Sequence, residues 1–310
     1  MSDPSWNAAS LAEQIRMACL LEVTARKAGN VHPGAAFEHL SYEDFVRSAE
    51  ACAPVIARVA EHGVGPTILE AVRATKACCS HNTNLGIILL LTPLAAVPPE
   101  SSLSDGIHQV LANLTYADAV AVYEAIRLAA PRGLGNSDEA DVTRGTPNGS
   151  LIDAMKLAAD RDQVAAQYVT GFELVLSFGM PLLERSPDFS SQWEQAIVRL
   201  QLELMGGSPD TDILRKCGPI DAEESARRAR AVINANWPQS LEGRSRFREF
   251  DRWLRAKQSQ RNPGTTADLV TACLFAALRE NLITPPAKAD IDRHIEQIGN
   301  NTAPDVGTIR

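Results

Sequence analysis

Long stretches of this chain repeat apolar residues at three- and four-residue intervals, and few alternate apolar with polar. The first spacing lays a stripe along one side of an α-helix, whereas alternation would mark a half-buried strand. The spacing predicts helices near 8–24, 41–60, 66–79, 86–91, 107–130, 150–178, 190–205, 221–235, 244–258 and 265–281. Glycine and proline punctuate the connections, as in Pro131-Arg132-Gly133-Leu134-Gly135 and Asn262-Pro263-Gly264. No internal repeat and no clear linker divides the chain, so one all-α domain over residues 1–310 is expected. Its last segment, 282–310, carries Pro285-Pro286 and a thin apolar pattern and is expected to pack loosely.

At 310 residues and 45% hydrophobic content, the chain can bury a sizeable core. Its net charge of -8 leaves no electrostatic footprint for nucleic acid. The longest apolar run, Leu85 to Leu91, stops at Thr92-Pro93, well short of the roughly 20 residues that cross a bilayer. Asp3 and Glu13 argue against a signal peptide. Cys19, Cys52, Cys78, Cys79, Cys217 and Cys273 form no CxxC pair and read as reduced thiols. These features predict a soluble, cytoplasmic protein without membrane or nucleic-acid partners; homo-oligomerisation is left open.

Helical phase places carboxylates where a core is expected. Glu22 continues the face of Leu11, Ile15 and Ala18. Asp118 falls within the stripe of Ile107, Leu111, Leu114, Ala121 and Ala125. Asp162 falls within that of Met155, Ala158, Ala165, Val169 and Leu176. A carboxylate facing a core is costly unless it is paired, metal-bound or set in a wet cavity. Each of the three can pair with an arginine or cap a helix; their coincidence favours a polar pocket between helices.

Four polar loops accompany these acids. Arg26-Lys27-Ala28-Gly29-Asn30-Val31-His32-Pro33-Gly34 follows the Glu22 helix and reads either as an oxyanion cradle or as a helix end capped by Gly29. Ser80-His81-Asn82-Thr83-Asn84-Leu85-Gly86 precedes the apolar run, with a glycine that permits close approach. Asn262-Pro263-Gly264-Thr265-Thr266-Ala267-Asp268 opens a nearly all-apolar, central helix whose free N–H groups suit phosphate. Thr265 with Asp268 also reads as a capping box. Asp210 through Gly218 sets acids before bases on a short helix, satisfying the dipole or a magnesium-bound polyphosphate.

Together these segments resemble the triphosphoribosyl-dephospho-CoA synthase family, from about Ala18 to Glu280. Glu22 before Lys27-Ala28-Gly29-Asn30 is similar to that family's Glu and basic glycine loop. Asn82-Thr83-Asn84-Leu85-Gly86 answers to its Asn-Thr-His-Lys-Gly, and Asp210-Thr211 with Arg215 to its Asp-Thr and base. Asn262 to Leu269 answers to its Ser-Pro-Gly-Gly-Ser-Ala-Asp-Leu. Asn84-Leu85 departs from the family's His-Lys, and with Ala158 to Asp162 it looks like a branch of archaea and of bacteria with methanopterin-linked one-carbon metabolism.

The resemblance implies an all-α transferase acting on ATP and 3′-dephospho-CoA, with Mg²⁺ expected alongside the nucleotide. A ribose 2′-hydroxyl attacks C1′ of the ATP ribose and adenine leaves. Acidic roles then fall to Glu22, Asp118 and Asp162, and metal-facing roles to Asp210 and Asp268. Substrate contacts fall to Lys27, Asn30, His32, Asn82, Thr83, Asn84, Gly86, Arg161, Thr211, Arg215, Lys216, Asn262, Gly264, Thr265 and Thr266. A protein that only binds the nucleotide or coenzyme is the alternative, as is a nucleotide or N-glycoside hydrolase.

Overall fold

A computed structural model of the chain describes residues 9–130 and 145–300. Among the described residues there are helices and connections but no strands; two isolated bridges, His32 with Ala35 and Phe37 with Leu40, lie in one loop. The loop Pro131–Gly135 lies outside the described residues. The fold is all-α, as the periodicity predicts.

The first half comprises α1 (Leu11–Thr24), α2 (Tyr42–Ile56), α3 (Val59–His62), α4 (Val64–Cys78), α5 (Leu85–Ala95), α6 (Leu103–Ala112) and α7 (Tyr116–Ala129). Then come α8 (Leu151–Lys156), α9 (Gln163–Thr170), a π-helical turn (Leu174–Gly179), α10 (Met180–Glu184) and α11 (Phe189–Gly207). The remainder is α12 (Thr211–Cys217), α13 (Pro219–Asn234), α14 (Leu241–Arg255), a 3₁₀ turn (Gln258–Arg261), α15 (Gly264–Arg279) and α16 (Lys288–Asn300). Local chemistry starts many of them. Ser10, Ser41, Thr115 and Ser150 each cap a helix, and Glu13, Asp44, Asp118 and Asp153 close the reciprocal box.

Those boxes explain where expectation and structure part. The stretch 107–130 is two helices, because Thr115 restarts the chain as an N-cap after α6 ends. Helical phase resets there, so Asp118 leaves the stripe assigned to it. The stretch 150–178 breaks similarly, with Asp162 as the N-cap of α9. Gly29 does adopt a left-handed φ of 73°, but α1 already ends at Thr24, so Gly29 shapes the loop rather than capping the helix. In the part of the tail that is described, up to residue 300, Ile283, Ile291 and Ile298 are buried, and His294 on α16 meets the edge of Trp193.

The helix α15 is the centre of the packing, as its uniform apolarity predicts. Every residue from Leu269 to Leu278 is buried, among α1, α5, α10 and α11. Large aliphatic side chains such as Leu274 contribute about 1.5–3 kcal/mol each by leaving water. A second apolar cluster gathers Trp237, Phe247, Phe250 and Leu254 with Ile213 and Val232. Helix α11 serves both cores, giving Ile197, Leu200 and Leu204 to the first and Val198, Leu202 and Met205 to the second. Among the described residues no helix is long and apolar enough to cross a membrane.

Candidate active site

A cavity of about 1350 Å³ opens where α1, α5, α7, α8, α12 and α15 converge with the loops before α2 and α5. Carboxylates line it from five separate segments: Glu22, Glu38, Asp162, Asp212 and Asp268. Cations line it too, as Lys76, Arg161, Arg215 and Lys216. Asn30, Asn82, Thr83, Gly86, Asn262, Gly264 and Thr265 supply neutral polar wall.

Glu22 is buried on α1 and meets Lys27 Nζ at 3.0 Å. Burial pushes the carboxyl up and the ammonium down, against the attraction of the pair. Lys27 has no exposed surface and also donates to the backbone carbonyls of Glu22 and Ala25. It is therefore the counter-ion of Glu22 and lies behind the cavity wall rather than within reach of a phosphate. Arg26 turns the other way, into a two-pronged contact with Glu194 at 2.8 Å. His32 is buried as well; its Nδ1 accepts from Gly34 N, and burial with the nearby Arg255 charge lowers it to about 3. It does not line the cavity and serves the turn.

Asn30 is fixed to present its side chain. Its Nδ2 donates to Asn262 Oδ1 at 2.8 Å, and its Oδ1 accepts from Gln201 Nε2 at 2.9 Å. Gln201 and Asp251 also hold the backbone N–H groups of Ala28 and Gly29. Sequence reasoning missed both, because they lie far along the chain from the loop they hold.

At the start of α5, Asn82 Oδ1 accepts from Leu85 N at 3.1 Å, and Thr83 shares a 2.5 Å contact with Ser48. Asn84 faces inward, donating to Cys52 Sγ, while its buried Oδ1 has no partner. It is not part of the cavity wall. Gly86 lies beneath Asp268, with no room for a side chain between them.

Asp210 sets the opposite wall. It caps α12 by accepting from Asp212 N and Ile213 N, and caps α15 by accepting from Thr266 N and Oγ1 at 2.7 Å. Every lone-pair direction is used, so Asp210 is a buried two-helix clasp outside the cavity and not a metal-facing group. Burial, reinforced by Asp212, raises it to about 6 despite those bonds. Thr266 is spent on that clasp, and Thr211 on Thr265 at 3.1 Å. Because Asp210 supplies the cap, the expected Thr265–Asp268 box is absent, and α15 begins without a side-chain cap of its own.

Asp268 is thereby left to face the cavity. Burial, then the charges of Asp212, Glu22, Asp210 and Asp162, hold it well above the usual carboxylate range. Asp212 meets Arg215 and Lys216, each at 2.5 Å, and stands against Gly264, where a Cβ would lie 2.7 Å from its Oδ2. Asp162 caps α9 with one oxygen and stands 3.8 Å from Arg215 with the other. Arg161 reaches the Leu157 carbonyl. Asp118 is elsewhere: it closes its own capping box and accepts from Gly65 N at 2.8 Å. Asp212 is a cavity carboxylate absent from the expected set; its spacing to Arg215 and Lys216 was the available signal.

A family model described as ATP:dephospho-CoA triphosphoribosyl transferase matches residues 8–285. A protein of Pseudomonas paraeruginosa named as a 2-(5''-triphosphoribosyl)-3'-dephosphocoenzyme-A synthase is 37% identical over 105 residues, 34% of this chain and 35% of that one. The chain thus spans about a third of the length of that relative. A protein of the same name from Pseudomonas syringae pv. tomato is 24% identical over 70% of this chain and 66% of its own. A crystal structure under the name triphosphoribosyl-dephospho-CoA synthase, from Archaeoglobus fulgidus, aligns with a TM-score of 0.57 and 26% identity, over 75% of this chain and 97% of that one. With the family match running through nearly all the elements that build the cavity, the chain belongs to the ATP:dephospho-CoA triphosphoribosyl transferase family.

Proposed function

We propose that this protein transfers a triphosphoribosyl group from ATP to a ribose hydroxyl, with 3′-dephospho-CoA as the acceptor and adenine as the leaving group. The observation that carries this reading is one large cavity with carboxylates on α1, α12 and α15 and cations on α12. Its volume of about 1350 Å³ exceeds the roughly 300–1,000 Å³ of ordinary small-molecule sites, leaving room for two nucleotides.

The reaction forms a bond from the acceptor 2′-oxygen to C1′ and breaks C1′–N9, whose electron pair leaves with adenine. The acceptor proton passes to a base. Glu22 suits that role, since it lines the cavity, burial raises its proton affinity, and Lys27 keeps its charge balanced. Arg215, Lys216 and Arg161 hold phosphate oxygens, with Asp212 and Asp162 orienting Arg215. Asn30, Asn82, Asn262 and Thr265 offer hydrogen bonds to ribose and phosphate.

Among the described residues no three His, Cys, Asp or Glu side chains form a ready metal cluster. Mg²⁺ needs less: one or two carboxylates, with phosphate oxygens and water completing the shell. Asp212 and Asp268 fit that donor set, and Asp268 sits among acids that favour a neighbouring cation. When bound, Mg²⁺ would supply charge neutralisation at the triphosphate. An ATP-dependent reaction, with the described cysteines free of disulfides, accords with a cytoplasmic location.

Incubation of the protein with ATP, Mg²⁺ and dephospho-CoA tests the reading. Free adenine by chromatography and a triphosphoribosyl adduct by mass spectrometry are expected. ADP or AMP without adenine would replace transfer by hydrolysis, and unchanged substrates would end the proposal.

A further inference from the structure

At the mouth of the cavity, His39 from the loop before α2 and His81 from the loop before α5 lie ring to ring. Their planes differ by 15° and their centroids are 5.8 Å apart. That spacing is in the range of offset-stacked aromatics. Both imidazoles are exposed, and neither is tied into the fold by a strong partner. His39 Nε2 is 3.9 Å from Glu38, its own neighbour, and His81 Nδ1 is 2.9 Å from Ser80, also its neighbour. Phe37 lines the same cavity, with the Arg255 guanidinium 5.7 Å from its ring centroid. Arg255 is itself anchored, at 2.9 Å from Asp251 and 2.6 Å from the Asn30 carbonyl.

Exposed aromatic faces contribute little to this fold, yet here three rings from two loops border one cavity. Successive stacking on aromatic and imidazole faces is how proteins hold a nucleobase without reading its edge. We propose that His39 and His81, with Phe37, form a stacking platform for an adenine ring. The inference rests on the proposed transfer for the choice of adenine, which both ATP and dephospho-CoA carry. The ring can come from either. Its phosphates then extend towards the cations of α12 in the same cavity.

The test is calorimetric titration of the full-length protein with ATP, dephospho-CoA and inorganic tripolyphosphate. Three proteins are compared: wild type, His39→Ala/His81→Ala, and His39→Phe/His81→Phe. Loss of the stack is expected to weaken one adenine nucleotide by about 10- to 100-fold. Tripolyphosphate should bind all three alike, and the phenylalanine variant should recover the affinity. The nucleotide that weakens identifies which substrate the platform holds. If the alanine variant, folded by circular dichroism, binds both nucleotides within twofold of wild type, the platform is overturned. Wild-type adenine release in that case would leave the transferase reading standing. Platform-dependent binding without adenine release would overturn the transferase reading and keep the platform. Absence of any adenine-nucleotide binding by wild type would overturn both.

Discussion

Asp268 lies so close to Gly86 that a Cβ placed there would stand 2.0 Å from its Oδ2 and 2.5 Å from its Cγ. The start of α5 and the second turn of α15 therefore meet through one carboxylate and one missing side chain. Gly86→Ala must rotate Asp268 out of its place. Alanine gains about 0.5–1 kcal/mol of helix propensity, which offsets part of the packing cost. The expected outcome is a melting temperature close to wild type with adenine release reduced at least about tenfold, one tenfold step being 1.36 kcal/mol of barrier. A variant with normal turnover would show that Asp268 need not occupy that position.

Lys27 and Glu22 form a buried pair, so removing one partner strands the other. Lys27→Met is expected to cost about 3–5 kcal/mol in urea unfolding. Glu22→Gln/Lys27→Met should recover most of that stability while remaining inactive. Were Lys27 a phosphate ligand instead, Lys27→Met would raise the KM for ATP and leave the unfolding midpoint in place.

Asp210 and Asp212 are separated in sequence by Thr211 alone and should fail differently. Asp210→Asn turns an amide NH₂ towards N–H donors at one end of the clasp and is expected to lose about 1–3 kcal/mol, with the Mg²⁺ requirement unchanged. Asp212→Asn should unfold near the wild-type midpoint yet need several-fold more Mg²⁺ for half-maximal adenine release. Equal Mg²⁺ curves for Asp212→Asn and wild type would remove Asp212 from the metal-facing set.

Glu194 brings a pH signature. Burial acts to raise its carboxyl, but the Arg26 hydrogen bonds, joined by His294, hold it down at about 2, against 4.5 for a free glutamate. A depressed carboxylate contributes stability that is complete above the unfolded value and is lost as pH falls through the folded one. The window is therefore pH 4.5 down to about 2, and the contribution is about 3 kcal/mol at 1.36 kcal/mol per unit. Thermal melts across that range should fall more steeply for wild type than for Glu194→Gln. Parallel curves would mean that the Arg26–Glu194 contact adds nothing net.

Asp118→Ala separates a cap from a site. The substitution should cost about 0.5–2 kcal/mol, the value of a helix-capping interaction, and leave the kcat for adenine release within twofold of wild type. A large loss of kcat with intact folding would return Asp118 to the chemistry.

Much of the fold was legible because its causes are local. The apolar spacing of residues 265–281 marks α15, and its lack of a polar face marks it as central. The first break was legible too, in Thr115-Tyr116-Ala117-Asp118, a capping box set inside a continuous apolar rhythm. Reading the rhythm across that box is what carried Asp118 into the core. The tail up to residue 300 is the opposite case: a sparse stripe of Ile283, Ile291 and Ile298 suffices when a surface is waiting for it.

By itself the sequence determined the all-α class, the family and several of the segments that line the cavity, because spacing, caps and glycine positions act over a few residues. Only the tertiary structure decided which acids in those segments face the cavity. Asp210 is consumed by Thr266, 56 residues away, and Lys27 by Glu22 as the chain folds back beyond the end of α1. Those commitments free Asp212 and Asp268 for the cavity. The division follows from the physics of buried polar groups: each must find partners, and its role is set by whichever remote segment supplies them.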